Sequence, residues 1–171
     1  MKFTLFHKFL TSGMLLLFII LLSGCPFSSS VPIDEGSVKV LDKLEGNWVS
    51  ASDTESENPT FFEITKKDKF HADARKKEFS ASDSIYTETL YHLTFSDVNG
   101  DVFMNAMEDG GSAYNLYKFS FDEKKMEITT SEVTDYIKET FSSSKELKDF
   151  IAKNKDKSFF FTNTIETYIR K

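Results

Sequence analysis

The chain has 171 residues, with 21 basic against 27 acidic side chains, a net charge of −6, 40% hydrophobic residues, one Cys, seven Gly and three Pro. These figures exclude a disulfide scaffold, a collagen-like repeat, a wholly disordered chain and a multidomain machine. Basic residues are 19 Lys and two Arg (Arg75 and Arg170), and the net charge is negative, so no phosphate-neutralising surface exists at whole-chain level and nucleic acid is not an expected partner.

The first 25 residues read as an address. Lys2, His7 and Lys8 form a basic start, and Met14–Leu22 (MLLLFIILL) is an apolar run of nine residues. Even counted from Phe9 to Gly24 the apolar stretch has 16 residues, short of the ~20 that a membrane-spanning helix needs, and it ends in small residues as a secretory signal does. Leu22-Ser23-Gly24-Cys25 resembles the lipobox of bacterial lipoproteins. The resemblance implies cleavage before Cys25, a diacylglyceryl group on its thiol, and an acylated new amine. A lone thiol has no disulfide partner in an exported chain, and acyl chains contribute ~0.8 kcal/mol per buried CH₂, enough together for stable anchoring. Pro26 follows the Cys, rather than the Asp that resembles an inner-membrane retention signal. The expected location is therefore a bacterial membrane on its extracytoplasmic side, the outer membrane where the cell has two. Loss of residues 1–24 removes Lys2 and Lys8 and leaves a net charge of −8.

Residues 26–37 (PFSSSVPIDEGS) are rich in Ser, Pro and Gly and read as a flexible tether between lipid and domain. A single β-rich domain is expected over residues 38–171. Val38, Leu41 and Leu44 recur every third residue, the spacing of a short amphipathic helical turn ending at Gly46. Strands are expected over 47–52, 60–65, 70–79 and 84–95, the third with Phe70, Ala72 and Ala74 alternating against His71, Asp73 and Arg75. Asn99-Gly100 favours the φ > 0 pair of a type I′ turn and predicts a hairpin into a strand over 101–107. Glu108–Gly111 is read as a second such turn, leading to strands over 113–121 (Tyr117, Phe119 and Phe121 on one face) and 126–130. Val133, Tyr136, Ile137 and Phe141 then fall at helical spacing. Ser143–Glu146 fits a capping box for a helix over 144–153 with Leu147, Phe150 and Ile151 on its apolar face. Residues 158–169 (SFFFTNTIETYI) read as a closing strand. The class is mainly β with a minor α part: an antiparallel meander sheet or a small lipocalin-like barrel, with a short N-terminal helical turn and one C-terminal helix before the last strand.

Little in the chain points to chemistry. After processing only His71 and His92 remain, and the motifs of serine hydrolases, zinc proteases, redox dithiols and P-loops do not occur. His71 and Asp73 share a strand face that a metal could use, but in a Lys-rich hairpin they read as solvated edge residues. Asp97–Asp101 has no closing Glu for a calcium loop and is better read as a turn. The six basic residues of Lys66–Lys77 suit either anionic head groups or a charged strand edge. No catalytic residue, metal or cofactor is expected, and the chain is read as non-enzymatic.

A second resemblance rests on Gly46-Asn47-Trp48, which is similar to the Gly-x-Trp entry of lipocalin and fatty-acid-binding barrels; Thr134-Asp135-Tyr136 and Arg170 are similar to that family's turn motif and late Arg. It implies a barrel with Trp48 as a pocket-floor residue and a small apolar ligand. Only 35 residues follow Tyr136, fewer than the family's final strands and helix occupy. Two functions remain open: a lipid-anchored module binding an envelope protein or glycan, and a carrier of an apolar molecule. A cavity of ~300 Å³ or more would separate them.

Overall fold

A computed structural model describes residues 27–171. The signal segment and Cys25 lie outside the described residues. The elements are β1 (Ser28–Ser29), a 3-10 turn (Asp42–Leu44), β2 (Gly46–Ser50), β3 (Phe61–Lys66), β4 (His71–Ser80), β5 (Ile85–Val98), β6 (Asp101–Glu108), β7 (Tyr114–Asp122), β8 (Glu127–Val133), α1 (Ser144–Asn154) and β9 (Phe161–Arg170). Each strand from β2 to β8 pairs antiparallel with the next in sequence, β8 pairs with β9, and β9 returns to β2. The meander therefore closes into an eight-stranded up-and-down barrel, which leaves no free sheet edge along the ring.

Period-two alternation decides which face each strand turns inward. On β4, Ala72 and Ala74 are buried while Arg75 is exposed. Leu93 and Phe95 of β5, Ala106 of β6 and Ile128 of β8 join Trp48 in an inner apolar cluster, with Tyr117, Phe119 and Phe121 of β7 packed against it. The opposite parity makes a second core outside the barrel. There Phe103 (β6), Leu116 (β7) and Val98 (β5) meet Leu147 and Ile151 of α1, along with Phe160. The helix begins as a capping box predicts: the Ser143 hydroxyl accepts from the Glu146 N–H at 3.3 Å. The Glu146 carboxylate turns back to Ser142, accepting from its N–H and hydroxyl. Phe150 packs half-buried against Phe141 and Phe160 rather than in the centre of the contact.

The Asn99-Gly100 hairpin forms as its sequence requires, with φ of 55° and 88° joining β5 to β6 in register Val98↔Asp101. Glu108–Gly111 does not repeat it. The last β6–β7 pair is Met107↔Tyr114, only Gly110 of that run takes a positive φ, and a longer loop results.

Three further expectations are corrected. Residues 27–37 are not a flexible tether but a strap bound to the outer wall, so the domain begins at Phe27 rather than residue 38. Phe27 and Ile33 are buried, and β1 pairs with β7 at Ser28↔Asn115 and Ser29↔Tyr114. Because β8 has already left β7 after Tyr117↔Glu132, β1 takes up the strand edge that β8 vacates. The Ile33 N–H donates to the Asn105 side chain at 2.8 Å, and Asp34 accepts from Ser96 (2.6 Å) and Lys148 of α1 (2.7 Å). Second, 133–141 is not helical. β8 runs on to Val133, and an irregular segment follows in which Ile137 is buried and Tyr136 is 77% exposed. Its apolar spacing serves to anchor a crossing over the helix core. Third, before β2 it is Val40 and Leu44 that are buried, while Leu41 is exposed; only Asp42–Leu44 forms a helical turn.

Candidate functional site

The barrel ends differ. One is closed by the 3-10 turn and by Trp48, which is 1% exposed. The indole Nε1–H donates to the Leu44 carbonyl at 2.8 Å, and the ring meets Phe121 edge-on at 5.9 Å between centroids. Arg170 pairs across the β2–β9 seam with Trp48, and its guanidinium donates to the Glu45 carbonyl at 2.7 Å and the Lys43 carbonyl at 3.4 Å. Gly46, at φ 133°, makes this possible: a Cβ there would lie 3.0 Å from the guanidinium, in a backbone conformation that side chains rarely adopt. The structure thus brings Gly46, Trp48 and Arg170 together at the closed end. It does not bring in Thr134-Asp135-Tyr136, which lies in the segment after β8, with Thr134 buried against Phe160 and Tyr136 in solvent.

Above this floor is a cavity of about 520 Å³. An eight-stranded barrel is wide enough either to fill with side chains or to hold one small ligand. Here small inward residues tip the balance, because Ala74 faces Tyr91 and Ala106 faces Leu93 across the β4–β5 and β5–β6 ladders. The lower wall is apolar, with Ile64, Leu93, Phe95, Phe119 and Ile128. Toward the open end the lining turns polar, with Ser50, Asp53, Thr60, Lys76, Asn115 and Glu166. The Lys76 ammonium is engaged by Glu78 at 2.7 Å.

Tyr91, Tyr117, Tyr168 and Glu166 line the space between floor and mouth, and Glu132 stands beside Tyr117. Tyr117 is the direct partner of Glu132 across β7–β8, and Thr130 is the partner of Glu166 across β8–β9. Burial first, then the charge of Glu166, raise the Glu132 carboxyl above its ordinary range, against the opposing effect of the Tyr117 hydroxyl. The Tyr168 hydroxyl donates to Glu166. Burial and then these carboxylates push the phenols of Tyr117 and Tyr168 far up, so both stay protonated and act as donors.

The histidines lie on the outer face. His71 Nδ1 contacts Asp68 at 2.8 Å. Asp73, instead of sharing a ligand with His71, pairs across β4–β5 with His92 at 2.9 Å, and His92 also reaches Asp109 at 3.1 Å. The bonds from Asp73 and Asp109 raise the His92 pKa. Among the described residues no group of three or more His, Cys, Asp or Glu converges as metal ligands would, and no helix is long and apolar enough to cross a membrane. The Asp97–Asp101 segment is a hairpin turn, with Asp101 held by Lys118 at 2.8 Å and by Lys155 at 2.5 Å.

Sequence reading singled out Trp48 and missed Glu132, Glu166, Tyr117 and Tyr168 as a group. The signal that could have found them is parity: Tyr117 shares its face with Phe119 and Phe121, and Glu132 and Glu166 sit two positions from Thr130 and Tyr168 on strands whose alternate residues turn inward. The comparisons add no identity: no family model, no curated protein and no solved structure matches this chain.

Proposed function

We propose that this chain is a non-enzymatic carrier that holds a small apolar molecule inside its barrel, in the manner of lipocalins, and is fixed to a bacterial membrane on the extracytoplasmic side through lipid on Cys25. The observation that carries the reading is the cavity of about 520 Å³. It falls within the range of small-molecule sites, is apolar at depth and has a few polar groups near the opening. The Gly46–Trp48–Arg170 arrangement supports it by sealing one end, so that entry and exit use the other. A carrier needs no nucleophile and base in register, and the two histidines bond surface carboxylates on the outer face, away from the cavity. The lipobox remains the ground for the anchor and for the location.

The test is titration of the chain with N-phenyl-1-naphthylamine, a neutral apolar fluorophore. Trp48, the chain's one Trp, lines the cavity and reports directly. The expected outcome is saturable binding near one probe per chain with loss of Trp48 emission. Binding should be abolished by Ala106→Phe, which fills the barrel from the wall. Absence of saturable binding would overturn the reading.

A second reading is a surface module for an envelope protein or glycan. It draws on the tip of the β4–β5 hairpin, where Ile85 is 57% and Tyr86 39% exposed and the Tyr86 ring packs on Phe61 and Phe79. Ala106→Phe would leave that binding untouched.

A further inference from the structure

We infer that the cavity is selective for cationic amphiphiles, molecules with an apolar body and a nitrogen cation, and that Glu132 and Glu166 hold the cationic head. This inference rests on the carrier reading and names its ligand class. The site is the cavity; the charges on its wall decide which head group it takes.

The lining is arranged by depth. Trp48, Ile64, Leu93 and Phe119 offer an apolar base for a tail. Above them, Glu166 lines the space directly, and Glu132 lies two residues on from Thr130, the strand partner of Glu166. The β8–β9 ladder shifts register beside Glu132, between Ser131 and Val133, and the charge of Glu166 still reaches it, adding to burial in raising the cost of charging Glu132. Among the described residues neither has a cationic side chain at ion-pair distance. Their partners are phenols: Tyr117 faces Glu132, and Tyr168 donates to Glu166. Two neighbouring carboxylates without a counterion, Glu166 on the wall of the cavity and Glu132 behind the lining Tyr117, are an electrostatic cost that a ligand cation would offset.

The aromatic rings strengthen the assignment. Tyr91, Tyr117, Tyr168 and Phe62 all line the space, and ring faces attract ammonium groups, more so for quaternary ones. An anionic amphiphile such as a fatty acid would need a free cation. The candidate on the wall is Lys76, and it is held by Glu78 on the opposite side of the ring, since β4 stands four strands away from β8.

The experiment titrates the chain from residue 26 onward, which contains both apolar cores and all nine strands, with dodecylamine, dodecanol and dodecanoate at pH 7 below their micellar concentrations. Trp48 emission is the readout. Dodecylamine should bind about tenfold or more tighter than dodecanol, and dodecanoate should bind more weakly than dodecanol. In E132Q/E166Q the amine should lose its advantage, the ratio of amine to alcohol affinity falling toward one. Unchanged thermal melts certify the fold; should the double variant not fold, E166Q, at the exposed mouth, must still lower the amine preference. Dodecanoate binding as tightly as dodecylamine, or an amine preference that survives in the Gln variants, would overturn the inference and leave the carrier reading standing. Failure of all three probes, dodecanol included, would overturn the carrier reading itself.

Discussion

Replacing Asn105 by Ala tests whether the strap is part of the fold. Asn105 lies on the outward face of β6, fully buried beneath residues 31–34. Its Oδ1 accepts from the Ile33 N–H at 2.8 Å, and its Nδ2 donates to the hydroxyls of Ser96 (3.0 Å) and Thr94 (3.1 Å). Loss of the side chain removes these three bonds and a longer one, at 3.5 Å, to the Thr94 carbonyl; each of the three closer bonds has a net contribution of about 1 kcal/mol in a folded protein. The Ser96 hydroxyl keeps its own bond to Asp34 at 2.6 Å, so Ser96 and Thr94 each lose only an accepted bond and theirs is the smaller share. The Ile33 N–H loses more: it belongs to a residue with no solvent exposure and is left unpaired, at a cost of roughly 1–3 kcal/mol. The sum is about 3 kcal/mol. Urea unfolding followed by Trp48 emission measures it, and hydrogen exchange at Ile33 should accelerate more than exchange in β3 or β4. A loss below about 1 kcal/mol with the Ile33 amide still protected would refute the strap as a structural element.

Leu147→Ala should destabilise by about 3–4 kcal/mol, since Leu147 is the fully buried contact of α1 on the barrel wall, and Phe150→Ala, half-buried, by less; chemical denaturation of the pair gives the order. Stability should fall in acid. Against the burial that opposes charging, Lys148, Ser96, Ser37 and the Gly36 N–H hold Asp34 below the usual carboxylate range, and Lys118 and Lys155 do the same for Asp101. A depressed folded pKa means that this contribution is present above the ordinary Asp range of about pH 4 and is lost as pH falls through the folded values, so the gap between the melts of wild type and Asp34→Asn should narrow steadily as pH is lowered below about 4. His92 behaves oppositely: raised by Asp73 and Asp109, its ion pairs help the fold below about pH 6.5 and stop helping as pH rises through the folded value, a slope that His92→Gln should remove. Cys25→Ser should leave the protein unprocessed or free of the membrane fraction, whereas a variant still cleaved at the same bond and still sedimenting with membranes would contradict the lipobox reading.

The strand order was legible because hairpins are local. Asn99-Gly100 set one register outright, and alternation in β4, β5 and β7 set which residues face in. Ser143 and Glu146 marked the helix start for the same reason: the bonds that define it span three or four residues. Closure was not legible. Nothing in β2 or β9 taken singly says that Trp48 will pair with Arg170, 122 positions away. The polar strap deceived for a related reason. Ser28, Ser29 and Asp34 look like linker residues until Asn115, Tyr114, Ser96 and Lys148, all far along the chain, are there to satisfy them. Tyr136 shows the reverse: the apolar spacing of a helix face in a segment where Val133, Ile137 and Phe141 reach the core and Tyr136 does not. The cavity was hidden most deeply, because it depends on Ala74 and Ala106 standing opposite large residues of the neighbouring strand, which is a property of register rather than of composition.

The strap also changes what the proposed anchor would do. Had residues 26–37 been a free tether, they would have let the barrel wander some tens of ångströms from the bilayer. With Phe27 buried against the outer core, only Pro26 separates the wall from Cys25, a path of under about 11 Å even when fully extended. A lipid on Cys25 would then hold the barrel against the head groups instead of giving it reach. For a carrier of amphiphiles this is the useful arrangement, since the ligand's apolar body is exposed to water only over the distance between membrane and mouth. It also makes the strap the part on which delivery depends. Weakening it, as Asn105→Ala does, should lengthen that path without touching the cavity, so that ligand affinity in solution is kept while transfer from vesicles slows.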